Sequence, residues 1–553
     1  MTKRTTSGPS QPRPSRGRRK TAMFAVGLAL LLAIVTCVAA ELTVRALGYA
    51  PRGEARFNER VEPGGSLYRT HPTLGCQMRP GHYRVTMGTG YSFSATHMAN
   101  SLRVTAADDR SDLADDRAEI WVLGDSFAYG YGVDDDQSFP WRLQAQMPDF
   151  KIVNFGVPAY STVQSLVQLR EALAAGGRPR AVVQLYFAEH DSRNTMLRGR
   201  RQIFHFWNRL GELTPPYARL IDGQLRVVTG ERLYRPFPFV KQSAAMNAVE
   251  QIYVEWEKQR AKAMDHRVTE AVIEEMAQLC RTSGTVLLVA GFSPEPETTS
   301  LIEYCQRHGI AADNIQYDWN DPENTNWPAD RWHASPLGYQ RMADNLECKL
   351  KLELLAEDYQ SRLTDPAQRA QAHFDLGGVR LKQSRREETP AGRTEQLTQS
   401  VEHFRAACEL DPRRVESRIG LADALAMSGD RAAAQQHYQA ALEIDPESSS
   451  AALRLARLLG STEDASAAER AEALRLAEIA CRDTDHCTAE QLHVLAVAQR
   501  MSGEIGEALV TAGRALERAT LDRQLGLAAD IDRDLSAILL EHSEATRVNG
   551  SRR

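Results

Sequence analysis

Hydrophobic positions divide the chain into three regimes. Ala22 to Ala40 runs for nineteen residues without a charge, long enough to cross a hydrocarbon core as a helix. Between 116 and 355 short apolar runs alternate with helical stretches: Glu119 to Leu123, Ile152 to Phe155, Ala181 to Phe187 and Thr285 to Ala290, with Ile315 to Tyr317 a weaker candidate. Runs of that length predict buried strands. Strands alternating with helices predict an α/β fold, a parallel sheet in three layers with sites beyond the carboxyl ends of its strands. From Pro366 to about 545 the strand runs vanish and Ala, Leu, Glu, Gln and Arg dominate, which predicts an all-α region. Residues 41–115, mixed and rich in Gly, Pro and Arg, read as a strap or linker, with Tyr68, His71, Pro72, Leu74 and Gly75 in an entry segment. Residues 193–240 interrupt the alternation with Phe204, Phe206, Trp207, Tyr234 and Phe237. They read as an insertion, either a lid or binding surface or a packing elaboration.

The all-α region repeats. Phe404, Ala407, Leu410, Asp411 and Pro412 match Tyr438, Ala441, Ile444, Asp445 and Pro446, each pair offset by 34 positions. That period is the tetratricopeptide one, a solenoid of stacked helix pairs. Leu421 to Leu425, then Ser428-Gly429-Asp430 and Ala433, supply a first helix, its turn and the start of a second. Weaker copies fall near Ala451 to Cys481, near Leu492 to Leu516 and before Ala406, where an insertion around Arg385 to Glu395 lengthens the first. An ordinary helical bundle is the alternative, and a protein partner is the expected ligand of such repeats.

Charge orients the chain. Residues 1–21 hold seven Lys and Arg and no acid, so this basic tail stays in the cytoplasm and everything after Glu41 is exported. The span 22–40 then reads as an uncleaved signal-anchor. A signal peptide cleaved after the small residues Val38-Ala39-Ala40 is the alternative. With net charge −5 overall, a tail of +7 leaves −12 on the remainder, which argues against nucleic acid as a partner. At 42% hydrophobic and 25% charged residues the rest is ordinary globular protein. The eight cysteines form no CxxC pair, so no zinc site, other metal or cofactor is expected. Cys481 and Cys487 are near enough to bridge a loop, or to remain two thiols. Asp134-Asp135-Asp136 reads as a solvated turn.

The candidate chemistry sits after the first strong strand. Gly124-Asp125-Ser126-Phe127 puts a serine at a strand-to-helix turn, where oriented backbone N–H groups can stabilise an oxyanion. Serine needs a base for its proton, and that base needs a third group to hold it. Asp330-Arg331-Trp332-His333 offers such a pair before a helix opened by Pro336-Leu337-Gly338-Tyr339. Trp327 and Trp332 read as packing beside the site, with a sugar platform as the other reading.

In these two motifs the chain resembles the SGNH/GDSL hydrolases, over roughly Ile120 to Leu352. The resemblance implies a flavodoxin-like fold with Ser126 as nucleophile, His333 as general base and then acid, and Asp330 orienting the imidazole. It also places oxyanion donors at the backbone N–H of Ser126, at Ala159 where the family has glycine, and at His190 where the family has asparagine. Both departures matter. Alanine must tolerate a glycine's dihedrals, and losing one oxyanion donor costs about 100- to 1000-fold in rate. Asn194 and Gly156 are the fallback donors. The expected function is a membrane-anchored extracytoplasmic esterase acting on O-acetyl or other acyl esters, of an envelope polysaccharide or a lipid. An O-acyltransferase and a non-catalytic binding scaffold are the alternatives.

Overall fold

The computed structural model describes residues 16–53, 59–107, 115–206, 213–229, 234–326, 333–355, 364–387, 389–461, 465–482, 486–521 and 524–550. The chain divides into two compact units, Met1–Glu347 and Cys348–Arg553.

The first unit opens with helix α1 (Arg16–Ala46), whose Met23–Ala46 segment is long and apolar enough to cross a membrane, its apolar side chains largely exposed. The segment after α1 departs from the strap expected over 41–115. Strands β1 (Arg60–Glu62), β4 (Gly81–Thr86) and β5 (Ser92–His97) pair antiparallel in the order β1-β4-β5, and β2 (Tyr68–His71) pairs with β3 (Gly75–Met78). Tyr83 and Val85 on β4, with Phe93 and Ala95 on β5, point inward at period two and join a core with Tyr129, Tyr131, Val157 and Tyr160. Strands this short, with apolar residues alternating against Arg, His and Thr, leave no continuous apolar run, and so read as linker.

Among the described residues the main sheet has five parallel strands in the order β12-β11-β8-β6-β7. They are β6 (Ala118–Leu123), β7 (Phe150–Asn154), β8 (Ala181–Tyr186), β11 (Val286–Gly291) and β12 (Ala311–Asn314). Trp121, Leu123, Val182, Tyr186 and Val289 pack on one face against Val163 and Leu166 of α4 (Thr162–Ala174), Val272 and Met276 of α7 (Ala244–Ser283) and Leu301 of α8 (Pro296–Arg307). Ile120, Val122, Val183 and Leu185 are equally buried and alternate with them, so the sheet is covered on both sides. The last strand lies at β12, four residues before the expected Ile315 to Tyr317. β12, one of the two edge strands, is only half-buried along its length, and its sequence carries no apolar run.

The helices α2 (Ser126–Tyr129), α3 (Phe139–Gln146), α5 (Glu189–Asn194), α6 (Arg198–Phe206) and α9 (Pro336–Leu354) complete the elements that matter here. Inside the expected insertion a hairpin of β9 (Tyr217–Ile221) and β10 (Gln224–Val228) turns at Asp222-Gly223, both with positive φ, as a two-residue hairpin turn requires. Tyr217 and Ala218 are buried in the core, so this part packs into the unit. Trp207 lies outside the described residues, as do the side chains of Phe204 and Phe206.

The second unit is helical throughout its described residues: α10 (Pro366–Arg386), α11 (Pro390–Leu410), α12 (Val415–Ser428), α13 (Arg431–Ile444), α14 (Ser449–Gly460), α15 (Ala467–Ala480), α16 (Ala489–Met501), α17 (Ile505–Leu521) and α18 (Leu525–Gly550). The turn expected at Ser428-Gly429-Asp430 is built by Gly429 at φ +93° and by Asp430, whose carboxylate accepts the Ala433 N–H at 3.1 Å. Small residues such as Ala422, Ala441, Ala456 and Ala477 fill the core and let the helices approach closely. Cys481 and Cys487 form a disulfide.

Candidate active site

The sheet order switches direction at β6: the chain passes from β6 to β7 on one side, then to β8 on the other. Such a switch point leaves a crevice beyond the strand ends, and the segments after β6 and β8 meet there. After β6 the chain turns through Gly124 at φ +151°, where an added Cβ would lie 3.0 Å from the Ala128 Cβ and 3.1 Å from the Leu185 Cβ. Asp125 then caps α2 by accepting the Phe127 N–H at 3.0 Å, and Ser126 is its first residue. Helix α2 is a single turn, and the next helix is α3 at Phe139–Gln146. Gly156 approaches from the loop after β7 so closely that a Cβ would sit 2.3 Å from the Tyr129 backbone nitrogen.

Ser126 and His333 lie 207 positions apart, yet the His333 Nε2 stands 2.9 Å from the Ser126 Oγ. The histidine is fixed from both sides. Its carbonyl accepts from the Asn326 N–H at 3.1 Å, and the Asn326 amide donates at 3.0 Å to both Gly132 and Ala334 carbonyls. Its ring lies 5.3 Å from that of Phe127 and 4.9 Å from that of Tyr131. Phe127 also meets Phe187, Phe292 and Trp319, so one wall of the site is aromatic. Asp330, Trp327 and Trp332 lie outside the described residues.

Beneath the serine is a buried charge network. Asp125 is fully buried, with its Oδ2 2.9 Å from the Arg193 Nη1 and 3.4 Å from the His190 Nε2. Burial alone would raise its pKa, but His190 and the Arg193 guanidinium outweigh it and hold the carboxyl well below the usual carboxylate range. Burial pushes the His190 imidazole down more than the Asp125 charge lifts it. Its Nδ1 lies 3.2 Å from the Thr162 hydroxyl, so both ring nitrogens face partners other than Ser126. Arg193 also donates to the Tyr160 carbonyl at 3.0 Å and stacks 5.0 Å over the Phe187 ring.

Ala159 adopts φ +68°, the left-handed region that favours glycine. Among the described residues no hydrogen-bond partner takes the backbone N–H of Ser126 or of Ala159. The fallback donors are engaged elsewhere. The Gly156 N–H donates to the Asn154 side chain at 2.9 Å, while Asn194 accepts from the Val163 N–H at 3.0 Å and donates to Thr269 at 2.8 Å. Asp191, next to His190, accepts from Tyr186 at 2.8 Å and Thr269 at 2.6 Å and meets His266 at 2.8 Å, which pins α5 to α7.

Two arginines escaped the sequence reading. Arg193 follows His190 by three on α5, a spacing that puts them on one face and was the available signal. Arg103 was legible only as part of a family-like segment. It is fully buried and donates to the carbonyls of Tyr129 at 3.1 Å, Val133 at 2.8 Å and Ser94 at 3.0 Å, to that of Gly130, and to Asp135 at 2.9 Å. The acidic turn is therefore structural rather than solvated: Asp134 and Asp135 also accept the Ser94 and Thr96 N–H groups of β5. Among the described residues no group of three His, Cys, Asp or Glu is placed to hold a metal.

A tetratricopeptide repeat model matches residues 415–458, which places such a repeat on α12, α13 and α14. No curated protein matches the chain. Among solved structures it is similar to a thermophilic tetratricopeptide repeat protein of Thermus thermophilus, 20% identical, over 37% of this chain and 92% of that one, TM-score 0.26. The MamA protein of Desulfovibrio magneticus RS-1 is 15% identical over 32% of this chain and 97% of that one, TM-score 0.22. A protein described as lipolytic, of the G-D-S-L family, from Desulfitobacterium hafniense DCB-2 is 12% identical over 42% of this chain and 99% of that one, TM-score 0.23.

Proposed function

We propose that the chain is a membrane-tethered, extracytoplasmic serine esterase of the SGNH/GDSL type whose repeats bind a protein partner. The observation that carries this reading is the 2.9 Å approach of the His333 Nε2 to the Ser126 Oγ at the end of a parallel strand. In the proposed reaction Ser126 attacks the acyl carbonyl while His333 takes its proton and passes it to the departing alcohol, leaving an acyl-serine. Water, activated by His333, then releases the acid; a sugar hydroxyl in its place makes the same site an acyltransferase. Asp330 is assigned the orienting role by resemblance. The Ser126 and Ala159 N–H groups are the proposed oxyanion donors, and His190 can join them only by turning from Asp125. The disulfide between Cys481 and Cys487 accords with export to an oxidising compartment.

The engagement of His190 with Thr162 and Asp125 favours a second reading, a scaffold that binds an acylated ligand without turnover. Hydrolysis of a chromogenic acetate ester by the full chain in detergent separates the two. The esterase reading expects Ser126→Ala and His333→Ala each to lower kcat/KM by about a thousandfold or more. No turnover by the unsubstituted chain on this ester or on acetylated glycans leaves the scaffold.

A further inference from the structure

The carboxyl end of α1 is tied to the amino end of α7. The Glu41 carboxylate accepts from the Ser243 hydroxyl at 2.7 Å and from the Ala244 and Ala245 N–H groups at 2.9 and 3.0 Å. The Arg52 N–H donates to the Val240 carbonyl at 2.8 Å, Asn247 donates to that of Ala50 at 2.9 Å, and Arg52 pairs with Glu250 at 3.0 Å. The start of α7 is thereby fixed beside the apolar helix.

From that point α7 carries a largely exposed apolar stripe. Val249, Ile252, Tyr253 and Trp256 fall at i, i+3, i+4 and i+7, the spacing of one helix face, and are 49%, 67%, 39% and 51% exposed. Glu250, on another face, is fully buried. The stripe continues to Arg260, whose guanidinium lies 5.2 Å over the Trp256 ring. Leu47 and Phe239, each 71% exposed, flank the junction with α1, and Tyr49 is also exposed. Tyr and Trp beside a cation, with no acid in the stripe, match the composition of a membrane–water interface.

We propose that this face of α7, with Leu47, Tyr49 and Phe239, rests in the headgroup region of the bilayer that α1 crosses. The proposal depends on the reading of α1 as a membrane anchor. Continuity selects lipid as the occupant. The stripe begins where the apolar helix ends, and Glu41 fixes the two together, so a chain anchored by α1 brings these residues to the interface without further motion. The amino-terminal half of α7 becomes an interfacial helix, while its Val268 to Cys280 half belongs to the core under the sheet.

The test reconstitutes the full chain in phosphatidylcholine nanodiscs containing a lipid with a diazirine at glycerol depth, irradiates them, and maps adducts by peptide mass spectrometry. Adducts on 23–46 and also on 47–49 and 249–256 are expected. Adducts confined to 23–46 overturn the docking while leaving the anchor intact, and adducts on neither overturn the anchor as well. The pair Ile252→Glu and Trp256→Glu is expected to lower labelling of 249–256 about tenfold, with labelling of 23–46 retained. Unchanged hydrogen exchange over 268–280 shows that the variant is folded. Cross-links between two copies through 249–256, without lipid adducts there, overturn the proposal in favour of a second chain as occupant.

Discussion

In the sheet unit the buried side chains include Arg103, Asp125, Asn154, His190 and Glu250, whereas among the described residues of the helical unit the buried polar side chains are Ser384, Ser400 and Ser417. A buried charge is costly unless paired and hydrogen-bonded, so each one in the sheet unit comes with partners that fix a direction. The Asp125 network sets the turn under Ser126, and Arg103 gathers the carbonyls of the loop after it. The helical unit needs no such directions. Its cores of Ala and Leu are satisfied by shape, and each helix pair asks of its neighbour only an apolar face of the right contour. Interior polarity thus separates the unit that holds the Ser126–His333 pair from the unit built by stacking.

Four measurements sharpen that contrast, with peptide-resolved hydrogen exchange following each unit. Asp125→Ala leaves Arg193 and His190 facing a void and is expected to destabilise the sheet unit by about 4 kcal/mol. Exchange should quicken in β6 and β8 while 415–458 stays protected. A cost within about 0.5 kcal/mol, the range of an ordinary surface change, would mean the charge network is not what holds the turn.

Phe404→Ala should cost the helical unit about 3 kcal/mol and leave exchange in the sheet unit unaltered. Its ring fills slots left by Gly377 and Gly420, where an added Cβ would come within 2.8 and 2.4 Å of it. Equal quickening in both units would show that the interiors are not independent.

Reducing the disulfide, which joins cysteines six positions apart, removes a short-loop constraint worth about 2 kcal/mol. The change should concentrate in α15 and α16, and no response in those helices to reductant would remove the disulfide from the account.

The smallest effect is acid-linked. Burial pushes the His97 imidazole down to about 4 from 6.5, against the lift of the Arg79 carbonyl. Between those values the unfolded chain binds more protons than the folded one, so this contribution is full above pH 6.5 and is lost as pH falls toward 4. Stability of the sheet unit should drop by about 1 kcal/mol from pH 6.5 to about 5.5, and His97→Gln should flatten that slope. A slope identical in the variant would assign the pH response to another group.

How much of this was legible depended on how each element is buried. The parallel strands β6, β8 and β11 are buried on both faces and announced themselves as apolar runs, as did the buried end of the edge strand β7, while β12 at the other edge did not. The antiparallel layer over 60–97 stayed hidden because its buried positions, such as Tyr83, Val85 and Phe93, alternate with polar ones in strands of three to six residues. The repeats were plain because one offset recurs at five positions. Ser126 and His333 were singled out through short motifs and a resemblance, since no local pattern reports a contact across 207 positions. Arg103, legible only as part of a family-like segment, and Trp319 bear on the site through tertiary contacts.

Arg103 also sets an order of events during synthesis. It belongs to the segment that leaves the ribosome before the parallel sheet, yet its side-chain acceptors other than Ser94 lie at residues 129–135, made later. A shortened chain begun at Ala118, the first residue of the parallel sheet, would retain every strand of that sheet and both Ser126 and His333. It would nonetheless emerge without the cation that its loop is shaped to receive.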